Sequence, residues 1–167
     1  MNVEVLIRRA RPGERDVLNA LTRRSAMHWD YEPEFLDWEP EAITLTESAL
    51  EHDSVFVLEQ SGTIAGFYHL SGPPDALLLD KLFIEPDAIG TGLGKVLWSH
   101  AVDEAASLGA RELSLYSDPN AAWFYRRMGA TWIREVPTSR AGWNLQLFRY
   151  SLSPAAPARR APEPPGN

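Results

Sequence analysis

The stretch AIGTGLGKVL, residues 88–97, limits the fold more than any other part of the chain, because three glycines at alternating positions stand between an apolar run and a helical repeat. Residues 76–84 read as a strand. Leu93, Val96, Leu97, Ala101, Ala105 and Leu108 then recur at helical spacing, and Gly109 follows as a residue suited to ending a helix. A strand that feeds such a loop and then a helix sets the helix's unpaired first amides at the loop, where they can receive the oxygens of an anion. Neither standard phosphate motif is present. A P-loop needs G-x-x-x-x-G-K followed by Ser or Thr, but Gly90 stands one residue too close to Gly94, and Val96 follows Lys95. A dinucleotide fingerprint needs G-x-G-x-x-G, whereas Lys95 and Leu97 stand where the last glycine would fall. On these residues alone, an anion cradle and an ordinary tight turn both stay open.

The rest of the chain alternates in the same way. Residues 3–8 read as an edge strand, and a helix begins at Pro12 with Val17, Leu18 and Leu21 on one face. Residues 31–50 read as one broken helix or two short ones, interrupted by Pro33 and Pro40. Residues 55–59 and 63–70, separated by QSG, read as a hairpin, and SGPPD turns the chain into the strand at 76–84. Residues 112–116 form a strand, Asp118 and Pro119 start a helix that Gly129 stops, and 131–136 and 143–150 are strands. The expected class is therefore mixed α/β, with about seven strands and three or four helices in one domain over residues 1–150. Residues 151–167, SLSPAAPARRAPEPPGN, carry five prolines and little apolar material beyond alanine, and read as a disordered tail. The strand at 143–150 can close within one chain or pair with a second copy, so a homodimer stays open.

Composition bounds the chemistry. With no cysteine there is no disulfide, thiolate nucleophile or Cys-ligated zinc, and the four histidines lack a recognised metal spacing, so no metal site is expected. No apolar run is long enough for a membrane span, and the charges in MNVEVLIRRARPGERD interrupt what a secretory signal would need, so a cytoplasmic protein is expected. The formal charge is −7, and residues 30–53 hold nine carboxylates with no Lys or Arg. That distribution argues against nucleic acid as a partner; a solvated helical surface is the first explanation of it, and a surface that attracts a cationic substrate such as an amine is the sharper one.

LFIEPDAIGTGLGKVLW resembles the core acetyl-CoA motif of the GCN5-related N-acetyltransferase (GNAT) superfamily, and NAAWFYRRMGA, residues 120–130, resembles its second signature. The two motifs stand in the family's order, and the resemblance covers residues 3–150. It implies the GNAT fold and an acetyl-CoA-dependent N-acetyltransferase that acts on a primary amine, here a small cationic molecule. It also implies a cofactor site at Leu82, Phe83, Ile84, Ile89, Gly90, Thr91, Gly92, Leu93, Gly94, Lys95, Asn120 and Tyr125. Where the family commonly has Arg or Gln at the start of the loop, this chain has Ile89, so the pyrophosphate would depend on backbone amides.

A protonated amine must lose a proton before it can attack a thioester. Asp80, on the strand among apolar neighbours, is the candidate acceptor, with a water network as the alternative. The resemblance assigns Tyr125 as the acid for the leaving thiolate. It also implies that backbone amides near Leu82, Phe83 or Ile84 hold the carbonyl oxygen if the strand opens from its neighbour. His28, Trp29, Tyr31, Tyr68 and His69 are the candidates for the amine site. A catalytically silent acyl-CoA sensor or interaction module with the same fold is the alternative that Ile89 keeps open.

Overall fold

The computed structural model describes residues 4–28, 44–138 and 142–152. Trp29, Tyr31 and most of the acidic stretch lie outside the described residues, as does the tail from 153 on. The hairpin forms where the sequence placed it: strands β2 (Ser54–Gln60) and β3 (Thr63–Ser71) are joined at Ser61 and Gly62, both with positive φ, which suits the twist of a two-residue hairpin turn. Strand β1 (Val5–Arg9) pairs antiparallel on the outer side of β2, and β4 (Leu78–Ile84) on the far side of β3. Strand β5 (Glu112–Ser117) follows in parallel to β4, with β7 (Asn144–Ser151) and then β6 (Thr131–Pro137) at the far edge. The sheet order is β1-β2-β3-β4-β5-β7-β6.

Helices cover both faces. On one face, α1 (Arg15–Met27) and α2 (Glu47–His52) bury Leu18, Leu21 and Leu50, with Leu45 from the segment before α2, against Val55, Val57 and Phe67. On the other, α3 (Leu93–Ser107) sets Leu97, Trp98 and Ala101 against Leu79, Leu113 and Leu115, with Tyr125 of α4 (Ala122–Arg127) in the same cluster. Three boundaries differ from the sequence reading, each for a local reason. Pro12 and Gly13 form a turn, Gly13 taking a φ of +89°, and α1 starts only at Arg15. Residues Pro74–Ala76 close a 3₁₀ turn, so β4 starts at Leu78. Asp118 Oδ1 accepts the amides of Asn120 (2.6 Å) and Ala121 (3.2 Å), which delays α4 to Ala122. At the other end β7 runs through Ser151, and Leu152 is buried with its amide on the Arg111 carbonyl at 2.9 Å.

Two irregularities position the functional site. Strands β4 and β5 pair only at Leu78 and Ser114, with the Ser114 amide on the Leu77 carbonyl at 3.1 Å, and then diverge. The β3–β4 register steps from His69↔Lys81 to Leu70↔Leu79, so Asp80 is an extra residue, a β-bulge in β4.

Helix α3 lies close on the sheet because β3 offers no side chain at Gly66. A Cβ there would stand 2.8 Å from Leu97 Cδ1 and 2.9 Å from the Phe83 carbonyl oxygen. Gly66→Val should therefore lower stability by about 1–3 kcal/mol, the usual scale of core overpacking. Urea unfolding followed by circular dichroism measures it, and a midpoint equal to wild type would show that α3 can move away at no cost.

Candidate active site

Helix α3 begins on a tight loop. The 3₁₀ turn Pro86–Ala88 hands over to Ile89, and Gly90 and Gly92 follow with φ of +82° and +90°, in backbone that other residues resist. A Cβ at either glycine would meet nothing, so the space beside the loop is open. Gly94 is constrained differently: its Cβ would sit 3.2 Å from both Ile84 Cδ1 and Phe124 Cε2, so glycine lets β4, α3 and α4 converge. The first bond of the helix runs from the Val96 amide to the Gly92 carbonyl at 3.3 Å. The amides of residues 92–95 precede it and point off the helix end, a donor set suited to phosphate oxygens. Thr91 spends its hydroxyl on the Ala88 carbonyl.

The loop forms the mouth of a cavity of about 620 Å³ that reaches Leu82 and Ile84 of β4, beyond the point where β4 stops pairing with β5. Leu82, Ile84, Ile89, Gly90, Gly92, Gly94 and Lys95 line one side; Trp98, Trp123, Phe124, Tyr125 and Arg127 are among the residues that line the rest. Backbone direction decides which amides face in. The Glu85 amide bonds the Ala65 carbonyl at 2.8 Å, so in an extended strand the amide of Phe83 also faces β3. Those of Leu82 and Ile84 face the opposite edge, where β5 has moved away. Tyr125 is buried, edge-on to Trp98 at 5.8 Å and to Phe124 at 5.2 Å. Burial, and to a lesser degree the charge of Asp118, raise its phenol above the ordinary value, so it keeps its proton at neutral pH.

Behind β4, on the α1 side of the sheet, stands a second cluster. His69 Nε2 lies 2.7 Å from Asp53 Oδ2, and His69 Nδ1 lies 3.3 Å from Asp80 Oδ2. Lys81 is buried, with its Nζ donating to that same Asp80 oxygen. The Asp80 carboxyl is held at about 2 against an ordinary 3.8, most of all by the His69 imidazole, with burial opposing and Lys81 adding to the effect. Arg24 of α1 grips both Glu85 oxygens through Nε and Nη2, one edge of its guanidinium, with Nε at 3.1 Å from Oε2, and so ties α1 to the segment that leads into the loop.

Residues 23–130 match the Acetyltransferase (GNAT) family. This chain belongs to that family. The peptidyl-lysine N-acetyltransferase YjaB of Escherichia coli (strain K12) is 32% identical over 128 residues, which span 75% of this GNAT protein and 81% of YjaB. Serotonin N-acetyltransferase 2, chloroplastic, of Oryza sativa subsp. japonica is 32% identical over 88 residues, 48% of this chain, which spans 44% of the rice protein. The PaiA N-acetyltransferase of Thermoplasma acidophilum, solved with coenzyme A, shares the fold at a TM-score of 0.70 and 18% identity, covering 88% of this chain and 99% of its own. The GNAT fold read from the two motifs is thus present.

The structure brings together in one cavity Leu82, Ile84, Ile89, Gly90, Gly92, Gly94, Lys95 and Tyr125 of this GNAT protein. Four other candidates for the cofactor site keep their side chains out of the cavity lining, although the Leu93 amide belongs to the set at residues 92–95 and Thr91 lies between Gly90 and Gly92. Phe83 packs on Phe67 across the sheet at 6.0 Å between ring centres; Leu93 is buried in the core as the anchor of α3; Thr91 and Asn120 are exposed at loop positions. Tyr68 and His69 do not share a cleft. Tyr68 is fully buried under α3 with its hydroxyl 2.6 Å from His100 Nδ1, while His69 faces the other way with Asp80. His28 is exposed at the end of α1. The sequence reading passed over Trp98, Trp123 and Arg127, which offered no signal apart from ordinary helix spacing, and Lys81, whose burial only the bulge explains.

The lowered Asp80 carboxyl has a consequence for stability. Because its pKa is lower folded than unfolded, its contribution is complete above the ordinary value of 3.8 and is lost as pH falls toward about 2. Asp80→Asn, which also leaves the Lys81 charge without its partner, should be less stable than wild type at pH 7, and the difference should shrink over that acid window. Urea unfolding at a series of pH values measures it; a difference that does not vary with pH would mean that the Asp80 charge is not held by its neighbours.

Proposed function

We propose that this protein transfers the acetyl group of acetyl-CoA to a primary amine, a small cationic molecule. The observation that carries this reading is a single cavity with a glycine loop at its mouth, two inward backbone amides on one wall and a protonated, buried tyrosine on the other. Acetyl-CoA, when bound, supplies a thioester acyl group. The amides of residues 92–95 suit its pyrophosphate, and Lys95 adds a positive charge at the same rim. Ile89 contributes only apolar surface there, so the anion depends on the backbone. The Leu82 and Ile84 amides can hold the carbonyl oxygen as it gains charge. Tyr125 Oη holds a proton for the departing thiolate, and regains one from the nitrogen as the amide forms. Asp80 accepts the proton of the incoming ammonium, directly or through water. The acidic stretch around residues 30–53 favours a cationic acceptor.

A second reading is favoured by the 32% identity to YjaB, a peptidyl-lysine N-acetyltransferase: a lysine side chain in a peptide presents the same ammonium on a larger carrier. Acetyl-CoA consumption measured over polyamines, arylalkylamines, aminoglycosides, amino acids and lysine peptides separates the two. Turnover confined to lysine peptides would replace the small-amine reading, and no turnover of any amine would remove the enzymatic one. With an amine in hand, Tyr125→Phe should keep acetyl-CoA affinity by calorimetry and lower kcat roughly 10- to 1,000-fold. Wild-type kcat in that variant would take Tyr125 out of the reaction.

A further inference from the structure

We propose that His69 stores the proton taken from the amine, receiving it through Asp80, and that Asp53 fixes the imidazole tautomer that this requires. The proposal rests on the acetyl-transfer reading above and adds a residue behind the reacting atoms.

The hydrogen-bond geometry decides the tautomer. A carboxylate can only accept, so the 2.7 Å contact between Asp53 Oδ2 and His69 Nε2 places a hydrogen on Nε2. The neutral ring then carries its lone pair on Nδ1. That atom is buried and, among the described residues, makes no hydrogen bond, yet it stands 3.3 Å from Asp80 Oδ2. Two lone pairs thus face each other in a buried place, an arrangement that costs free energy until a proton comes between them. The His69 side chain is only 7% exposed, whereas Asp80 is 33% exposed and can meet a substrate that His69 cannot.

Asp53 faces the ring from the end of α2, Asp80 and Lys81 face it from β4, and Arg9 of β1 binds the Asp53 backbone carbonyl at 2.8 Å. With His69 neutral, the two carboxylates balance the Lys81 ammonium and the Arg9 guanidinium, which suits a resting ring whose Nδ1 lone pair is free to take a proton. Asp80 itself does not keep the proton, since a carboxylate that already accepts the Lys81 ammonium on Oδ2 is a weaker base than an imidazole. The step balances: the ammonium N–H bond breaks with its electron pair left on nitrogen, the proton passes to the Asp80 carboxylate and on to the Nδ1 lone pair, and Asp80 is again ionised. The imidazolium returns the proton to water before the next cycle. Both Lys81 and His69 sit at Oδ2, and among the described residues Oδ1 makes no hydrogen bond, so one oxygen stays available to the amine or a water.

Nitrogen-15 NMR of the imidazole in the full-length, ligand-free protein tests the tautomer, and kinetics test its use. In wild type, Nε2 should be protonated and Nδ1 bare at high pH, and Asp53→Asn should weaken that preference for hydrogen on Nε2. His69→Gln should keep acetyl-CoA affinity and lower kcat roughly 10- to 100-fold at pH 7, the loss shrinking toward pH 9 where more of the amine is already free. Asp53→Asn should move the acid limb of the rate profile to lower pH, which a purely structural role would not do. A ring protonated on Nδ1 and bare on Nε2 would overturn the proposal. So would a His69→Gln profile parallel to wild type while wild type turns over an amine. If wild type turns over no amine, the acetyl-transfer reading falls, and this proposal with it.

Discussion

The parting of β4 from β5 after the bridge between Leu78 and Ser114 is the constraint on which the rest of the site depends. A sheet normally satisfies both edges of an interior strand, and here the far edge of β4 is left to face a cavity. That edge presents the Leu82 and Ile84 amides. Helix α3 packs beside that edge on β3 and β4, and Gly94 lets its first turn fit against Ile84 and Phe124. The loop at the mouth, the amides on one wall and Tyr125 on the other therefore follow from one break in strand pairing. The parallel order of β4 and β5, joined through α3, is what allows them to start paired and end apart.

Much of this was legible because local rules and the global fold agree. The helical repeat from Leu93 to Leu108 gave the span of α3, Gly109 took the left-handed conformation that ends it, and Ser61-Gly62 fixed the β2–β3 hairpin. What could not be read was set by tertiary pairing. Asp80 looks like one position of a regular strand, and only the register with β3 makes it a bulge that turns it and Lys81 toward His69. Lysine is among the residues least often buried, so no pattern in the sequence marks Lys81. The pairing of Tyr68 with His69 in one cleft was a misreading of a kind the two-residue period of a strand corrects: neighbours on β3 face opposite layers, and they do.

The site also shows how backbone can stand in for side chain. Ile89 removes a donor from the position where the related motif has one, yet the loop around it is built to expose amides: two glycines with positive φ, a helix start with no side-chain cap, and open space beside both glycines. Apolar surface from Ile84, Ile89, Trp98 and Phe124 lines the same cavity as those donors. On the opposite layer the charged cluster of Asp53, His69, Asp80 and Lys81 is kept off the cavity.

Amide hydrogen exchange with and without acetyl-CoA tests the central claim most directly, because it reads the backbone groups themselves and needs no amine. The account predicts that acetyl-CoA slows exchange at residues 92–95 and at Leu82 and Ile84, while Phe83, whose amide already faces β3, changes little. Binding of acetyl-CoA that leaves residues 92–95, Leu82 and Ile84 unchanged, with protection gained elsewhere on the protein, would contradict it.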